Sequence, residues 1–140
     1  MTPALGWLDA IAEHLAAAGL ATYRPAAPYQ PADGWPLFVE QRPPDPDEVV
    51  VVTGYGGDPG GLHPEPRLQV VTRSLDVRAS RHQAEAIEQH LTEPRGGVDL
   101  PGGWRLVQAP SVNGAVTHLG LDDRDRHQHV TNHALTLERH

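Results

Sequence analysis

Glu48-Val49-Val50-Val51-Val52-Thr53 constrains this chain more than any other segment. Four successive β-branched valines are stiff at χ1 and favour a strand. The run does not alternate with polar residues, so the strand is expected to be buried on both faces. Leu, Ile, Val and Phe supply only 31 of the 140 residues. That lies just above the level of about 20% associated with disorder, so a core is possible but thin. The length suits one domain over residues 1–140. Fourteen glycines and fourteen prolines imply long loops without reaching low-complexity composition.

The elements around the valine run follow from spacing and punctuation. Thr2-Pro3 reads as an N-cap followed by proline at the first helical position. Leu5, Leu8, Ile11, Ala12 and Leu15 keep helical spacing and Gly19 provides a stop, so a helix is expected at 3–18. Pro25 to Pro31, bounded by Tyr23 and Tyr29, reads as an extended loop. Leu37–Glu40 is a short strand, and Pro43-Pro44-Asp45-Pro46-Asp47 is a turn. Gly54 opens a long loop that ends near Pro66. Arg67–Arg73 is a third strand, with Leu68, Val70 and Thr72 on one face. Ser80-Arg81-His82-Gln83 has the form of a capping box opening a helix to about Leu91. Ala84, Ile87 and Leu91 form its inward stripe, and Pro94 with Gly96-Gly97 ends it. Trp104–Gln108, Val116–Leu121 and His127–Leu137 complete the strands. They come in runs joined by short turns, which predicts an α+β fold. The expected sheet is largely antiparallel, with the valine strand central and both helices packed on one face.

Composition removes several function classes. With no cysteine there is no disulfide framework, thiolate nucleophile or Cys-ligated metal. No apolar run approaches the ~20 residues of a membrane helix. The N-terminus lacks the basic region of a secretory signal, so the cytoplasm of the producing cell is the expected compartment. Residues 1–65 hold nine acids against Arg24 and Arg42, while residues 66–140 balance to zero, so the whole net charge of −7 lies in the first half. Nucleic-acid binders ordinarily carry the opposite sign. All eleven cations are Arg.

The histidines are the first chemical temptation, nine in all. His127, His129 and His133 would share one face of the last strand. Yet four strand residues span about 13 Å, too far for one metal ion. A solvated or subunit-facing strand surface, tolerant of Gln at all three positions, is the expectation. His82 and His90 are likewise too distant to share an ion. The Gly-rich segment 54–61 lacks the Lys of a P-loop, and Pro59, Pro64 and Pro66 forbid the helix that a dinucleotide fingerprint needs, so a flexible hairpin loop is expected. Asp122-Asp123-Arg124-Asp125 lacks the Gly and distal Glu of an EF-hand and reads as a solvated turn. Ser74, Ser80 and Ser111 have no nucleophile-elbow context. Trp7 and Trp104 read as core, and Trp35 as an interface anchor. No catalytic set, cofactor or metal site is expected. Two other classes stay open: a small metal-dependent enzyme using the clustered histidines, and an adaptor that reads peptides through the Pro-rich loop and edge strands.

Three landmarks together resemble a phage family, the minor capsid or tail-terminator proteins of long-tailed phages of Gram-positive hosts. One is Pro36-Leu37-Phe38-Val39, the Pro-Asp turn at 43–47 and the valine strand into Gly54–Gly57. Another is Leu68-Gln69-Val70-Val71-Thr72-Arg73 followed by the helix with Ala84, Ile87 and Leu91. The last is Gly120-Leu121-Asp122-Asp123-Arg124-Asp125-Arg126 followed by a strand containing Val130-Thr131-Asn132. Relatives more often place two arginines where this chain has only Arg73. The resemblance implies a structural virion protein at the tail neck, assembled in the host cytoplasm. It implies a homo-hexameric ring at the head-proximal end of the tail tube, which stops tube growth and meets the head connector or stopper. DNA would pass through the lumen without specific binding, past a surplus of acid. Another neck or head-completion role in the same assembly is the alternative. Interface residues expected on exposed loops are Tyr29, Trp35, Tyr55 and Leu62.

Overall fold

The computed structural model describes residues 6–58, 60, 63–93 and 97–139. The valine run opens β2 (Val49–Asp58), which lies between β1 (Leu37–Val39) and β3 (Glu65–Ser74). β1 joins it in parallel and β3 antiparallel. The five-stranded sheet has the order β1-β2-β3-β7-β6, with β6 spanning Ser111–Leu121 and β7 spanning His127–Ala134. All pairings except β1–β2 are antiparallel. β2 is interior, but β3 is the central strand.

Val49 to Val52 are all buried, and they divide between two cores. Val50 and Val52 join Leu68 and Val70 in the main core, beneath α1 (Trp7–Ala17) and α2 (Val77–Thr92). Val49 and Val51 join Val71 and Val130 in a smaller cluster on the opposite face, backed by Phe38. The unbroken apolar pattern is thus the pattern of a strand covered twice, and the two helices share one side of the sheet.

α1 buries Leu8, Ile11, Ala12 and Leu15, as its spacing predicts. It ends in a Schellman motif: Leu20 N–H donates to Leu15 O, Gly19 N–H donates to Ala16 O, and Gly19 has φ +76°. Thr2, Pro3 and Leu5, read as the start of this helix, lie outside the described residues. α2 begins earlier than the expected capping box, because Asp76 is the cap; its carboxylate accepts from the N–H groups of Arg78 and Ala79. Ser80 is instead a fully buried residue of the first turn, and Gln83 donates to the carbonyl of Leu20. Ala84, Ile87 and Leu91 face inward as expected. Pro94 and Gly96, read as the stop, are outside the described residues.

The last strand departs from the expectation of one long element. It leaves the large sheet at Leu135 and continues as β8 (Thr136–Arg139) in a second sheet of order β4-β5-β8. β4 (Val98–Leu100) was not legible; β5 (Trp104–Gln108) was. Leu135 and Leu137 are both buried, so the chain keeps its inward alternation while changing sheets. Leu100, Trp104, Leu106 and Leu137 close the main core, and the Arg139 guanidinium lies 4.5 Å from the centroid of the Trp104 ring.

The glycine-rich segment is not a loop from residue 54 onward. β2 continues through it to Asp58, with a bulge between Tyr55 and Gly57. Gly54 is required because a Cβ there would stand 2.8 Å from the Trp7 indole, which crosses the strand at that point. Gly57 has φ +73°, and a Cβ would meet Glu65 O at 2.3 Å.

The histidine face is also corrected. It turns toward α2, and His129 and His133 are buried. His133 sits with Nδ1 3.0 Å from Ala109 O and Nε2 3.0 Å from the Thr131 hydroxyl. The carbonyl can only accept, so Nδ1 carries the proton. His129 Nδ1 lies 2.7 Å from Ser80 Oγ, beneath the first turn of α2. His14 and His90 stack at 4.6 Å between α1 and α2, and the Nε2 atom of each is buried without a hydrogen-bond partner among the described residues. The strand alternation was read correctly; which side α2 would cover was not in it.

Val51→Asp buries an unpaired carboxylate in the smaller core and is expected to cost about 3–5 kcal/mol, enough to unfold a marginal domain. A cooperative thermal melt near that of the parent protein would contradict the assignment. A second expectation concerns pH. Burial holds His14, His129 and His133 below their ordinary value of 6.5. Their neutral forms therefore favour the folded state above pH 6.5, and this stability is lost as pH falls through their lowered values. The melting temperature should drop between pH 7.5 and 5. His133→Gln should lower it at pH 7.5 and flatten that slope, whereas the solvated-face expectation has it unchanged.

Candidate functional site

The segment after β1 carries Pro43, Pro44 and Pro46, so it lacks three backbone N–H donors and cannot extend a sheet. Its carbonyls must find donors elsewhere. Arginines supply them. Arg73 donates from Nη2 to Pro46 O at 2.6 Å and from Nε to Asp47 O at 3.3 Å. Arg126 donates from Nη1 to Pro44 O at 2.6 Å and from Nε to Asp122 Oδ2 at 2.8 Å. Arg124 Nη1 reaches Pro44 O and Asp45 Oδ1, both at 3.1 Å. Arg73 and Arg126 are each only 3% exposed. Burial, followed by the neighbouring Arg126 charge, lowers the pKa of the Arg73 guanidinium.

Asp122 organises the other side of this cluster. Its Oδ1 accepts from the backbone N–H groups of Arg124 and Arg126 at 2.9 and 3.0 Å. Burial alone would raise its pKa, but these bonds and the Arg126 side chain together hold it below the usual carboxylate value. The turn at 122–125 is thus a lock on the 43–47 segment and not merely a solvated turn. The cluster also ties acids of the first half of the chain to arginines of the second, through Asp45–Arg124 and Asp47–Arg126. The charge asymmetry along the sequence is partly cancelled in the fold.

Pinning 43–47 against the sheet leaves a cavity of about 610 Å³ between it and the earlier Pro-rich loop. Tyr29, Pro31, Phe38 and Pro46 give it apolar walls, and Asp33, Asp45 and Glu48 bring carboxylates. Asp33 is held by Arg24 through two bonds of 2.7 and 2.8 Å, which pull its pKa down to about 2. Asp45 pairs with Arg124. Glu48 has no ion pair among the described residues, and burial raises its pKa despite a bond from the Trp35 backbone. Sequence reasoning missed Glu48, because its neighbours come from loops whose paths are set by distant arginines.

The four expected interface residues fall in different places. Tyr29 lines the cavity, its ring 4.7 Å from Phe38 and its hydroxyl donating to the Leu37 carbonyl. Trp35 is half-buried against the main core. Tyr55 is exposed on the β2–β3 arm, away from the cavity. Leu62 lies outside the described residues. A further apolar group was not expected: Leu75, Val77, Leu119 and Leu121 are all exposed. The ladder puts Ser74 opposite His127 and His127 opposite Leu121. Leu75, Val77 and Leu121 therefore stand at one end of the β3–β7–β6 row.

One pair looks like a nucleophile and its base: Ser80 Oγ beside His129 Nδ1. Ser80 is fully buried, its Oγ also 3.2 Å from Thr72 O, and no substrate reaches it. Its role is to seat α2 on the sheet. Among the described residues no group of three or more His, Asp or Glu is placed to hold a metal ion. No described helix is long and apolar enough to cross a membrane.

The family model for bacteriophage tail terminator proteins matches residues 14–139, and the chain belongs to that family. It is a structural protein of the phage tail, as its landmarks suggested. No curated protein sequence matches it. Parts of all three landmarks that carried the resemblance, the 43–47 turn, Arg73 and Asp122–Arg126, meet in the one arginine cluster.

Arg126→Ala would strand the Pro44 carbonyl and the Asp122 carboxylate. A loss of about 2–4 kcal/mol is expected. Faster amide exchange should be confined to residues 45–52 and 122–130 in hydrogen-exchange mass spectrometry. Unchanged exchange at Asp45 and Asp47 would show that the segment is held by something else.

Proposed function

We propose that this chain forms a ring, a homo-hexamer, on the head-proximal end of the tail tube. There it ends tube polymerisation and presents a surface to the head connector or stopper. Membership of the tail terminator family carries this reading. The two edges of the large sheet support it. β1 is short and flanked on its outer side by the bridge from Thr22 to Pro36, while β6 is long and has no described strand beyond it. A head-to-tail ring needs a subunit with two unlike sides.

Residues 1–140 act in this reading as one unit, assembled in the host cytoplasm and carried into the virion. Its partners are further copies of itself, the tail tube protein and the connector. Tyr29, Trp35, Tyr55 and Leu62 take part in contacts, Tyr55 through the exposed β2–β3 arm. DNA passes the lumen unread, since the net charge of −7 repels a phosphate backbone. No reaction is assigned to the chain.

The test is to produce the phage without this protein and to image the particles by electron microscopy. Overlong tails, or tails of any length not joined to heads, are expected. Tails of uniform normal length attached to filled heads would overturn the proposal.

A further inference from the structure

His127 and the histidines after it on β7 cannot share an ion along one strand, but β6 brings another imidazole to them across the ladder. His118 stands opposite His129, and Leu121 stands opposite His127. Opposed residues of an antiparallel pair point to one face, and so do residues two apart on a strand. The register shifts between His118 and Gly120, where Gly120 takes φ +98°. His118, His127 and His129 therefore share one face. The His118 ring lies beside both of the others, with centroid distances of 5.3 Å to His127 and 4.8 Å to His129.

The nitrogens of this cluster are not equivalent. His129 is buried, and its Nδ1 is committed to Ser80 Oγ. His118 Nε2 and His127 Nδ1 face each other at 3.2 Å in an exposed position. Two imidazole nitrogens bound to one tetrahedral ion, each about 2.0–2.1 Å from it, stand about 3.3 Å apart. The bare pair is thus already spaced as two ligands, with one proton between the nitrogens in place of an ion. Moving that proton to the far nitrogen of its own ring frees both lone pairs and leaves both imidazoles neutral. From α2, Arg81 and Glu85 act on the cluster, and they pair with each other at 3.6 Å, so no unbalanced cation of that helix opposes a metal ion.

We propose that His118 Nε2 and His127 Nδ1 bind one divalent transition-metal ion, zinc or a cation of like ligand preference, with water at its remaining positions. Among the described residues no group of three or more His, Asp or Glu is placed to hold an ion, so the site is open and exchangeable and not a closed structural one. Imidazole nitrogen suits zinc, copper and nickel, whereas magnesium and calcium require oxygen ligands. The ion ties β6 to β7 where their ladder is interrupted, between the register shifts at Val112/Thr117 and His118/Gly120. β6 has no described strand beyond it, so the metal fastens an edge of the large sheet. Such binding is a property of the single copy and does not depend on the ring.

The test uses untagged, full-length protein stripped with EDTA and titrated with zinc chloride at pH 7.5 by calorimetry. One ion per chain is expected at this pair, and magnesium chloride should give no heat of binding. His118→Gln and His127→Gln should each weaken zinc binding by about tenfold or more, because each removes one of two protein ligands. His82→Gln, which changes an exposed histidine of α2 outside the pair, should leave it unchanged. A parent protein that takes up no zinc, or variants of His118 and His127 that bind it as tightly as the parent, would overturn the proposal. Nitrogen-15 NMR of the parent's imidazoles needs no substitution and so stands even where a variant fails to fold. Zinc should shift His118 Nε2 and His127 Nδ1 and leave His133, closed by Ala109 and Thr131, in place. Shifts confined to other histidines would reject this pair even in a chain that binds zinc.

Discussion

The contact of two buried guanidinium groups with the carbonyls of Pro44, Pro46 and Asp47 holds the 43–47 segment in place. Prolines deny that segment any sheet pairing, so without Arg73 and Arg126 its carbonyls would face either water or an apolar wall. Pinned, the segment forms one wall of the Glu48 cavity. One polar cluster thus shapes a surface.

On the opposite face the polar groups play a quieter part. Ser80, Thr72 and His129 bond to one another beneath α2, and His133 satisfies both ring nitrogens between Ala109 and Thr131. Buried polar groups that are fully paired specify one arrangement of helix on sheet. A Ser–His pair met in isolation invites a catalytic reading. Its burial and its orientation toward backbone make it a fastener.

A braced framework bears directly on the proposed ring. In that proposed ring a subunit must keep its shape while each side meets a different surface of its neighbour. The arginine cluster stiffens one side through bonds whose partners lie about 80 residues apart in the chain, as between Arg126 and Pro44. The α2 corner is stiffened by the Asp76 cap.

The sequence alone determined the elements with strong local signals. The valine run could only be a doubly covered strand, and the stripes of α1 and α2 followed from periodicity. Gly19 ended a helix because no other residue adopts its φ as cheaply. The family was legible too, since its landmarks are linear. Tertiary structure alone decided which side of the sheet each face would meet. That choice buried His129 and His133 where solvent was expected, moved the helix cap from Ser80 to Asp76, and carried the last strand into a second sheet at Leu135. It also decided what Arg73, Asp122 and Glu48 do, since an ion pair or its absence depends on groups brought together over long stretches of chain. Periodicity records how residues alternate along a strand or helix; it holds no information on what packs against either side.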